Sequence, residues 1–408
     1  MRLLMVSPRF APGVSGGAEN LVRGLATHAP AGWDVEIATT CAHDHHTWFN
    51  ALPPGRAVDD GLVVHRFPVS PRDAWEHERI AAHLAAAGAV PPGQELRLMG
   101  TSVWSAGLQE FLDARGRDYD LILFAPYLFG TTFWGAQAWP GRSVLIPCLH
   151  DEPHAHMACM GALFGAVAGC VFNAPAEERL ARRLFPVASG GVVGMGIDPV
   201  DGRPAAPPPA AVAALPGPYL VYVGRQEEGK RVDVAVEYTA RLARERHPGL
   251  HLVLIGSGTY AVPPAARPYA TQLGFVDDDT KRAVIAGAAA LVNPSELESF
   301  SIVLMEAWRE GVPAVVSAGS DVMAEHCALS GGGVAFADYA GFADAVSAIL
   351  DDPGGAARMG EAGRAYVARE WSWPAVTERF RTTIESIYDH AQRGHAADAE
   401  DARDRSRA

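Results

Sequence analysis

The sequence predicts an α/β protein of two domains, each an open and mostly parallel sheet. Three observations carry this: the length, two separate blocks in which short apolar strands alternate with helical periodicity, and a proline-rich break between them. The 408 residues exceed what one core usually holds, at about 150 residues per domain. With 49% hydrophobic and 20% charged residues, the chain can bury two sizeable cores.

In the first block "RLLMVSP" is a compact apolar strand, "GGAENLVRGLATHAP" has helical spacing at Leu21, Val22 and Leu25, and "WDVEIATT" is a second strand. That is a strand, helix, strand unit of parallel-sheet character. Further strands are expected at "GLVVHRF", "DLILFAP", "SVLIPCLH" and "GCVFN", with a helix over 101–114. Between the blocks, "VDGRPAAPPPAAVAALPGP" keeps no periodicity and reads as a linker. The second block opens with the strand "YLVYVG", continues through the helical "KRVDVAVEYTARLARERHPG" and returns with "LHLVLIGSG". The strands "AALVNPS", "PAVVSA" and "GVAF" follow, with a helix starting near Ser299 ahead of the second. The tail 392–408 is polar and is expected to be unstructured.

Composition excludes several function classes. The formal charge of −13 argues against broad nucleic-acid binding. Five cysteines, at 41, 148, 159, 170 and 327, form no C-x-x-C pair and suit neither a disulfide framework nor a zinc knuckle; a cytoplasmic, reducing location is expected. No secretory leader is expected in "MRLLMVSPRF". The uncharged run Met157 to Phe172, with Gly161, Gly165 and Gly169 at four-residue spacing, is short of the roughly 20 residues a spanning helix needs. It reads as a buried helix whose glycine stripe packs closely on a neighbour.

Two Rossmann-like domains facing each other enclose a cleft, and ligands of open α/β sheets bind outside the carboxyl ends of the strands. The loops there carry the candidate chemistry. "VGRQEEGKR" places Arg225 and Lys230 between a strand and a helix, where a diphosphate would meet two cations and the positive helix end; a solvated turn neutralised by Glu227 and Glu228 is the competing reading. "RFAPGVSGGAEN" offers Gly16 and Gly17 ahead of a helix, either to bring N–H groups close to a phosphate or sugar or to make a tight turn. The G-x-G-x-x-G spacing is absent and the "GSG" at 256–258 leads into proline-rich sequence, so an NAD oxidoreductase is disfavoured. The histidines at 150, 154 and 156 beside Asp151, and those at 43, 45 and 46, are weak metal signals in a chain with 15 histidines. Glu298 and Glu306 stand eight positions apart in "PSELESFSIVLMEAWREGVPAVVS". Two readings stay open: Ser295 and Glu298 have the spacing of a capping box, or Glu298 borders a site at the helix mouth while Glu306 looks in from the side.

Taken in order, "GGAE", "HD", "GMGID", "GRQEEGK", "GFVDD" and "PSELESFSIVLMEAWREGVPAVVS" resemble glycosyltransferase family 4, the retaining enzymes of GT-B fold, over roughly residues 1–390. The resemblance implies an acceptor domain over 1–195, a linker over 196–215, a donor domain over 216–373, and a C-terminal helix over about 374–391 that crosses back to the first domain. It implies that Glu298 lies beside the donor sugar, that Glu306 binds the ribose hydroxyls, that Arg225 and Lys230 hold the diphosphate, and that Val276 meets the base through its main chain. Ser301, Ile302 and Val303 would face phosphate and sugar, Gly16 and Gly17 would border the ligand, and His150 would sit near the reacting sugar. Where the family often has E-G-F-G, this chain has "ESFS", with Ser299 and Ser301 narrowing the pocket.

The expectation is a metal-independent, retaining hexosyltransferase with no cofactor. It would move sugar from a UDP- or GDP-sugar to a hydroxyl of a glycan, lipid-linked or small-molecule acceptor, with peripheral membrane contact left open. A nucleotide-sugar epimerase and a non-catalytic nucleotide-sugar sensor are the alternatives.

Overall fold

Buried strands alternate with helices through both halves of the chain. The computed structural model describes residues 1–14, 16–200, 202 and 206–405, apart from the side chains of 228 and 394–405. The chain divides into two units, one made of Met1–Gly196 with Pro374–Ala408 and the other of Ile197–Trp373.

The first unit begins with β1 (Arg2–Ser7), α1 (Gly17–Thr27), β2 (Asp34–Thr40), β3 (Gly55–Asp59) and β4 (Leu62–Phe67). Three helices follow, α2 (Ala74–Ala87), α3 (Pro92–Gly100) and α4 (Ala106–Arg115), then β5 (Leu121–Phe124), α5 (Gly130–Gly135) and β6 (Ser143–Leu145). It closes with α6 (Ala158–Ala166), β7 (Gly169–Phe172), α7 (Pro175–Leu184) and β8 (Gly190–Val192). The sheet order is β3-β4-β2-β1-β5-β6-β7-β8, parallel except where β3 pairs with β4. Leu4, Ile122, Phe124, Leu145 and Phe172 from the strands pack with Ile80, Leu84, Leu98, Leu112 and Phe164 from the helices in one core.

The second unit runs α8 (Ala210–Ala213), β9 (Tyr219–Val223), α9 (Val232–Glu245), β10 (His251–Ile255), β11 (Ala270–Gly274), α10 (Asp278–Ala286) and β12 (Ala290–Asn293). Then come α11 (Ile302–Arg309), β13 (Ala314–Ser317), α12 (Asp321–Ser330), β14 (Gly333–Phe336), α13 (Tyr339–Asp351) and α14 (Pro353–Glu370). Its sheet, ordered β11-β10-β9-β12-β13-β14, is parallel at every pairing. Leu220, Leu252, Leu254 and Val292 pack there against Val236, Leu242, Phe342 and Val346.

The strands expected from apolar runs are all present. Those not expected, β3, β8 and β11, are edge strands with few fully buried residues, so they lack the continuous apolar run that burial on both faces selects. The helix expected over 101–114 starts later: Ser105 accepts the Leu108 N–H (3.3 Å) as the N-cap of α4, and Thr101 lies beyond the end of α3.

The run Met157 to Phe172 is not one buried helix but α6 followed by β7. Its glycines form no packing stripe: a side chain at Gly161 would meet nothing within 4 Å, Gly165 faces Pro186, and Gly169 lies in the strand. No helix among the described residues is long and apolar enough to cross a membrane.

The last helix, α15 (Trp373–Arg405), groups with the first unit from Pro374 on. Val376, Phe380, Ile384 and Ile387 are fully buried at three- and four-residue spacing, one stripe of a helix. Phe380 lies 5.8 Å from the Trp33 ring, and the Thr377 hydroxyl donates to the His28 carbonyl (2.9 Å). The tail expected to be unstructured from 392 is thus helical to Arg405. Its alanine and arginine content favours helix. Residues 406–408 of that tail, and 201 and 203–205 of the expected linker, lie outside the described residues.

Candidate active site

In the second unit β9 is the first strand in sequence, and successive strands are added on one side as far as β11 and then on the other from β12. The connections after β9 and β12 therefore leave the sheet in opposite directions and open a crevice at their carboxyl ends. The loop after β9 carries Arg225 and Lys230, and the loop after β12 carries Glu298 and Ser301. The structure brings these loops together: the Lys230 ammonium donates to Glu298 Oε1 at 2.6 Å and to the Leu297 carbonyl at 3.3 Å. Beside them Arg231, in the left-handed region at φ 52°, pairs with Glu296. Arg225 lies 3.0 Å from Glu227 and is 52% exposed, and its carbonyl accepts the Tyr222 hydroxyl (2.8 Å).

Neither Ser295 nor Glu298 is in a helix. α11 starts at Ile302, with Ser301 as its N-cap, so the capping box does not form; the Ser295 hydroxyl instead donates to the Leu297 carbonyl (3.4 Å). Ser301 has φ 65° and ψ 73°, a conformation that costs a non-glycine residue roughly 1–2 kcal/mol. Asn293 Nδ2 donates to the Ser301 hydroxyl (3.2 Å) and holds it there. That backbone accounts for glycine being frequent at this place in the resembling family.

Glu306 projects from the second turn of α11, and its Oε1 accepts Lys281 Nζ of α10 at 2.8 Å. Burial works to lower the Lys281 pKa, but Glu306 and Asp278 outweigh it and leave it raised. Ile302 and Val303 are half-buried in the first turn, and Val276 is half-buried between β11 and α10. The "GSG" glycines serve close approach between loops: a Cβ at Gly256 would collide with the Gly224 carbonyl, and one at Gly258 with that of Gln226.

In the first unit Gly16 is the N-cap of α1 and Gly17 its first residue. Gly16 is extended (φ −178°), so its backbone needs no glycine, but a Cβ there would strike the Glu19 carboxylate; one at Gly17 would meet nothing within 4 Å. The tight turn lies earlier, at Gly13 (φ 75°). His150 follows β6, and its Nδ1 lies 3.4 Å from Glu152 Oε1. The Tyr127 hydroxyl donates to the same carboxylate (3.1 Å), and His154 stands 3.9 Å away. Burial tends to raise the Glu152 pKa, yet His150, His154 and Tyr127 outweigh it, so it is lowered. The segment before His150 is clamped by the buried Glu177, which accepts the Leu149 N–H (2.6 Å) and the Asn173 N–H (2.5 Å).

The histidine clusters separate: His156 bonds Asp151 (2.7 Å), apart from the Glu152 group. Near the first unit's start, Asp44, His45 and His46 place ligand atoms within 4.8 Å of one another. However, the Asp44 carboxylate already accepts from Thr47 N (2.6 Å) and Thr47 Oγ1 (2.7 Å), and His43 is not in the group.

Sequence reasoning missed Lys281, Asn293, Arg231, Glu296 and Glu152. Lys281 stands in the first turns of a helix whose D-x-x-T start, with Asp277 accepting the Thr280 N–H (2.8 Å), is a readable cap; its position relative to Glu306 is not.

The chain is similar to known proteins over most of its length. Residues 212–366 match the family model of glycosyl transferases group 1. Over 97% of this chain and 96% of the relative, the sequence is 29% identical to a glycogen synthase of Mycobacterium tuberculosis. It is 28% identical to D-inositol 3-phosphate glycosyltransferase 2 of Catenulispora acidiphila over 90% of each chain. Among solved structures, trehalose-6-phosphate from E. coli bound with UDP-2-fluoro glucose superposes with a TM-score of 0.68 at 13% identity, covering 95% of this chain and 99% of that one. On these findings residues 212–366 are similar to glycosyl transferases group 1, and the chain has the two-domain α/β architecture of the GT-B fold.

Proposed function

We propose that the chain transfers a hexosyl group from a nucleoside diphosphate sugar to an acceptor hydroxyl, with retention of configuration at the anomeric carbon. The observation that carries this is the Lys230–Glu298 pair spanning the crevice between β9 and β12, just ahead of the start of α11. An anion entering there meets Lys230, the exposed Arg225 and the positive end of α11. These groups would stabilise charge on the departing diphosphate, the role a divalent ion plays in other transferases.

Glu298, released from Lys230, becomes an acceptor for donor-sugar hydroxyls, and Glu306, oriented by Lys281, for the ribose diol. The Val276 main chain would meet the base, and the backbone of Ser301, Ile302 and Val303 phosphate and sugar. His150, with Nδ1 on Glu152, is assigned to the reacting sugar on the family resemblance, and Gly16 and Gly17 to the ligand border. No two of the five cysteines are joined in a disulfide, which suits a reducing, cytoplasmic location.

A thermal-shift screen with UDP, GDP, ADP, dTDP and NAD tests the donor, since a ligand of the native state raises the melting temperature. A nucleoside diphosphate should stabilise and NAD should not. UDP comes first because the E. coli neighbour is bound with a UDP-sugar. NMR of the transfer product should show the donor's own anomeric configuration. An inverted product would sink the retaining mechanism, and isomerised donor without acceptor would make the chain an epimerase.

A further inference from the structure

Outside the loops described above, the first unit holds a cavity of about 580 Å³ in its helical layer, within the roughly 300–1,000 Å³ of small-molecule sites. Its walls come from the end of α3 (Gly100), the turn after it (Trp104), α4 (Gln109 and Asp113) and the end of α5 (Trp134 and Gln137). Two indoles, two carboxamides and one carboxylate face one space, and no lysine, arginine or histidine lines it. A single acidic group and no cation disfavour a phosphate or a nucleotide. The combination suits a neutral ligand with an apolar face and a rim of hydroxyls, which is the surface of a pyranose ring: aromatic faces take its C–H side, while carboxylate and carboxamide groups take vicinal hydroxyls.

The polar groups are held in place and are not saturated. Gln109 Nε2 donates to Asp113 Oδ1 (3.1 Å), leaving the second carboxylate oxygen and the Gln109 carbonyl. Gln137 Nε2 donates to the Phe133 carbonyl (2.7 Å), which leaves its amide oxygen. Trp134 is anchored by Nε1 on the Met99 carbonyl (3.1 Å) and edge-on to Phe133 at 4.8 Å. Trp104 contributes a second indole to the wall, its N–H buried without an acceptor among the described residues.

We propose that this cavity is a carbohydrate subsite that holds one neutral pyranose unit of an oligosaccharide, separately from the nucleotide-sugar donor. It would tether a glycan to the first unit whether or not transfer occurs. The inference does not rest on the transfer reaction, because a chain with no transferase activity would still show it.

The test is saturation-transfer NMR and calorimetric titration of the full chain with maltoheptaose and with an α-1,6-linked mannotetraose, in the absence of donor. The parent should bind at least one of them with millimolar affinity. Trp134→Ala should weaken that binding by about tenfold or more. Because Trp134 also supports the fold, Gly100→Phe is the second variant: Gly100 lines the cavity and a Cβ there meets nothing within 4 Å, so the added ring starts from open space in the wall. It should abolish the binding while leaving the nucleotide-induced melting shift unchanged. Unaltered oligosaccharide affinity in Gly100→Phe, or no binding of either sugar by the parent at about 10 mM, would overturn the proposal.

Discussion

The two units are wound alike and charged differently. Around the first strand of each, the order is β4-β2-β1-β5-β6 in one and β11-β10-β9-β12-β13 in the other, so each sheet opens a crevice beside its first strand. In the first unit the cation just after β1 is committed within the fold: Arg9 is buried, bonded to Glu19 (2.5 Å) and to the His43 carbonyl (3.1 Å), and 5.8 Å from the Trp48 ring. In the second unit Lys230 is 27% exposed, its partner Glu298 14%, and Arg225 52%. Topology makes a crevice in both. Whether it accepts an anion depends on whether its cations can exchange a carboxylate for a phosphate at small desolvation cost.

The largest expected effect breaks the comparison at the first unit. His150→Ala should lower kcat by about 10²-fold or more, as loss of a group at the reacting centre does, while leaving nucleotide affinity near the parent's. Steady-state rates together with calorimetric titration check it, and unchanged turnover removes His150 from the chemistry. Lys230→Ala should do the reverse. Deleting one charge-assisted contact of about 1.5–3 kcal/mol weakens nucleoside diphosphate binding roughly tenfold to a hundredfold. Binding equal to the parent's would mean that the crevice of the second unit is no more an anion site than that of the first.

A third test concerns what stands behind the loop that precedes α11. His326 is fully buried and hydrogen-bonded to the Tyr366 hydroxyl (2.9 Å). Its ring lies edge-on to Phe300 at 5.8 Å and to Trp371 at 5.5 Å. Burial lowers its pKa to about 3, below the unfolded value of about 6.5. The imidazole is therefore neutral in the native state, its contribution to stability is present above pH 6.5, and it is lost as pH falls towards 3. Between pH 7.5 and 5 that loss amounts to about 2 kcal/mol. Denaturant titrations should show the parent losing that much more than His326→Leu over the same interval, and parallel pH profiles would refute the assignment.

The smallest effect belongs to Ser301. Ser301→Gly should leave stability within about 1 kcal/mol of the parent, relief of the left-handed backbone offsetting glycine's entropy. Ser301→Val should cost about 1–3 kcal/mol. If thermal melts rank the two variants the other way, the backbone at 301 is not what Ser301 supports.

Local chemistry along the chain determined the interior strands, because burial on both faces selects an unbroken apolar run. It also determined the kind of residue at the candidate site: a strand ending before Arg225 and Lys230, and an apolar helix carrying Glu306, are legible in order. The edge strands β3, β8 and β11 were not, since few of their residues are fully buried. The start of α11 was not legible either. "SELE" carries a valid capping box, and only the left-handed Ser301, held by Asn293, moves the helix start to Ile302. Tertiary structure alone decided which charges meet. Lys230 reaches Glu298 across 68 positions and Lys281 reaches Glu306 across 25. Periodicity records whether a residue is buried and in what local geometry, whereas an ion pair between two loops follows from which strands lie side by side, and that order is set by how the sheet packs as a whole.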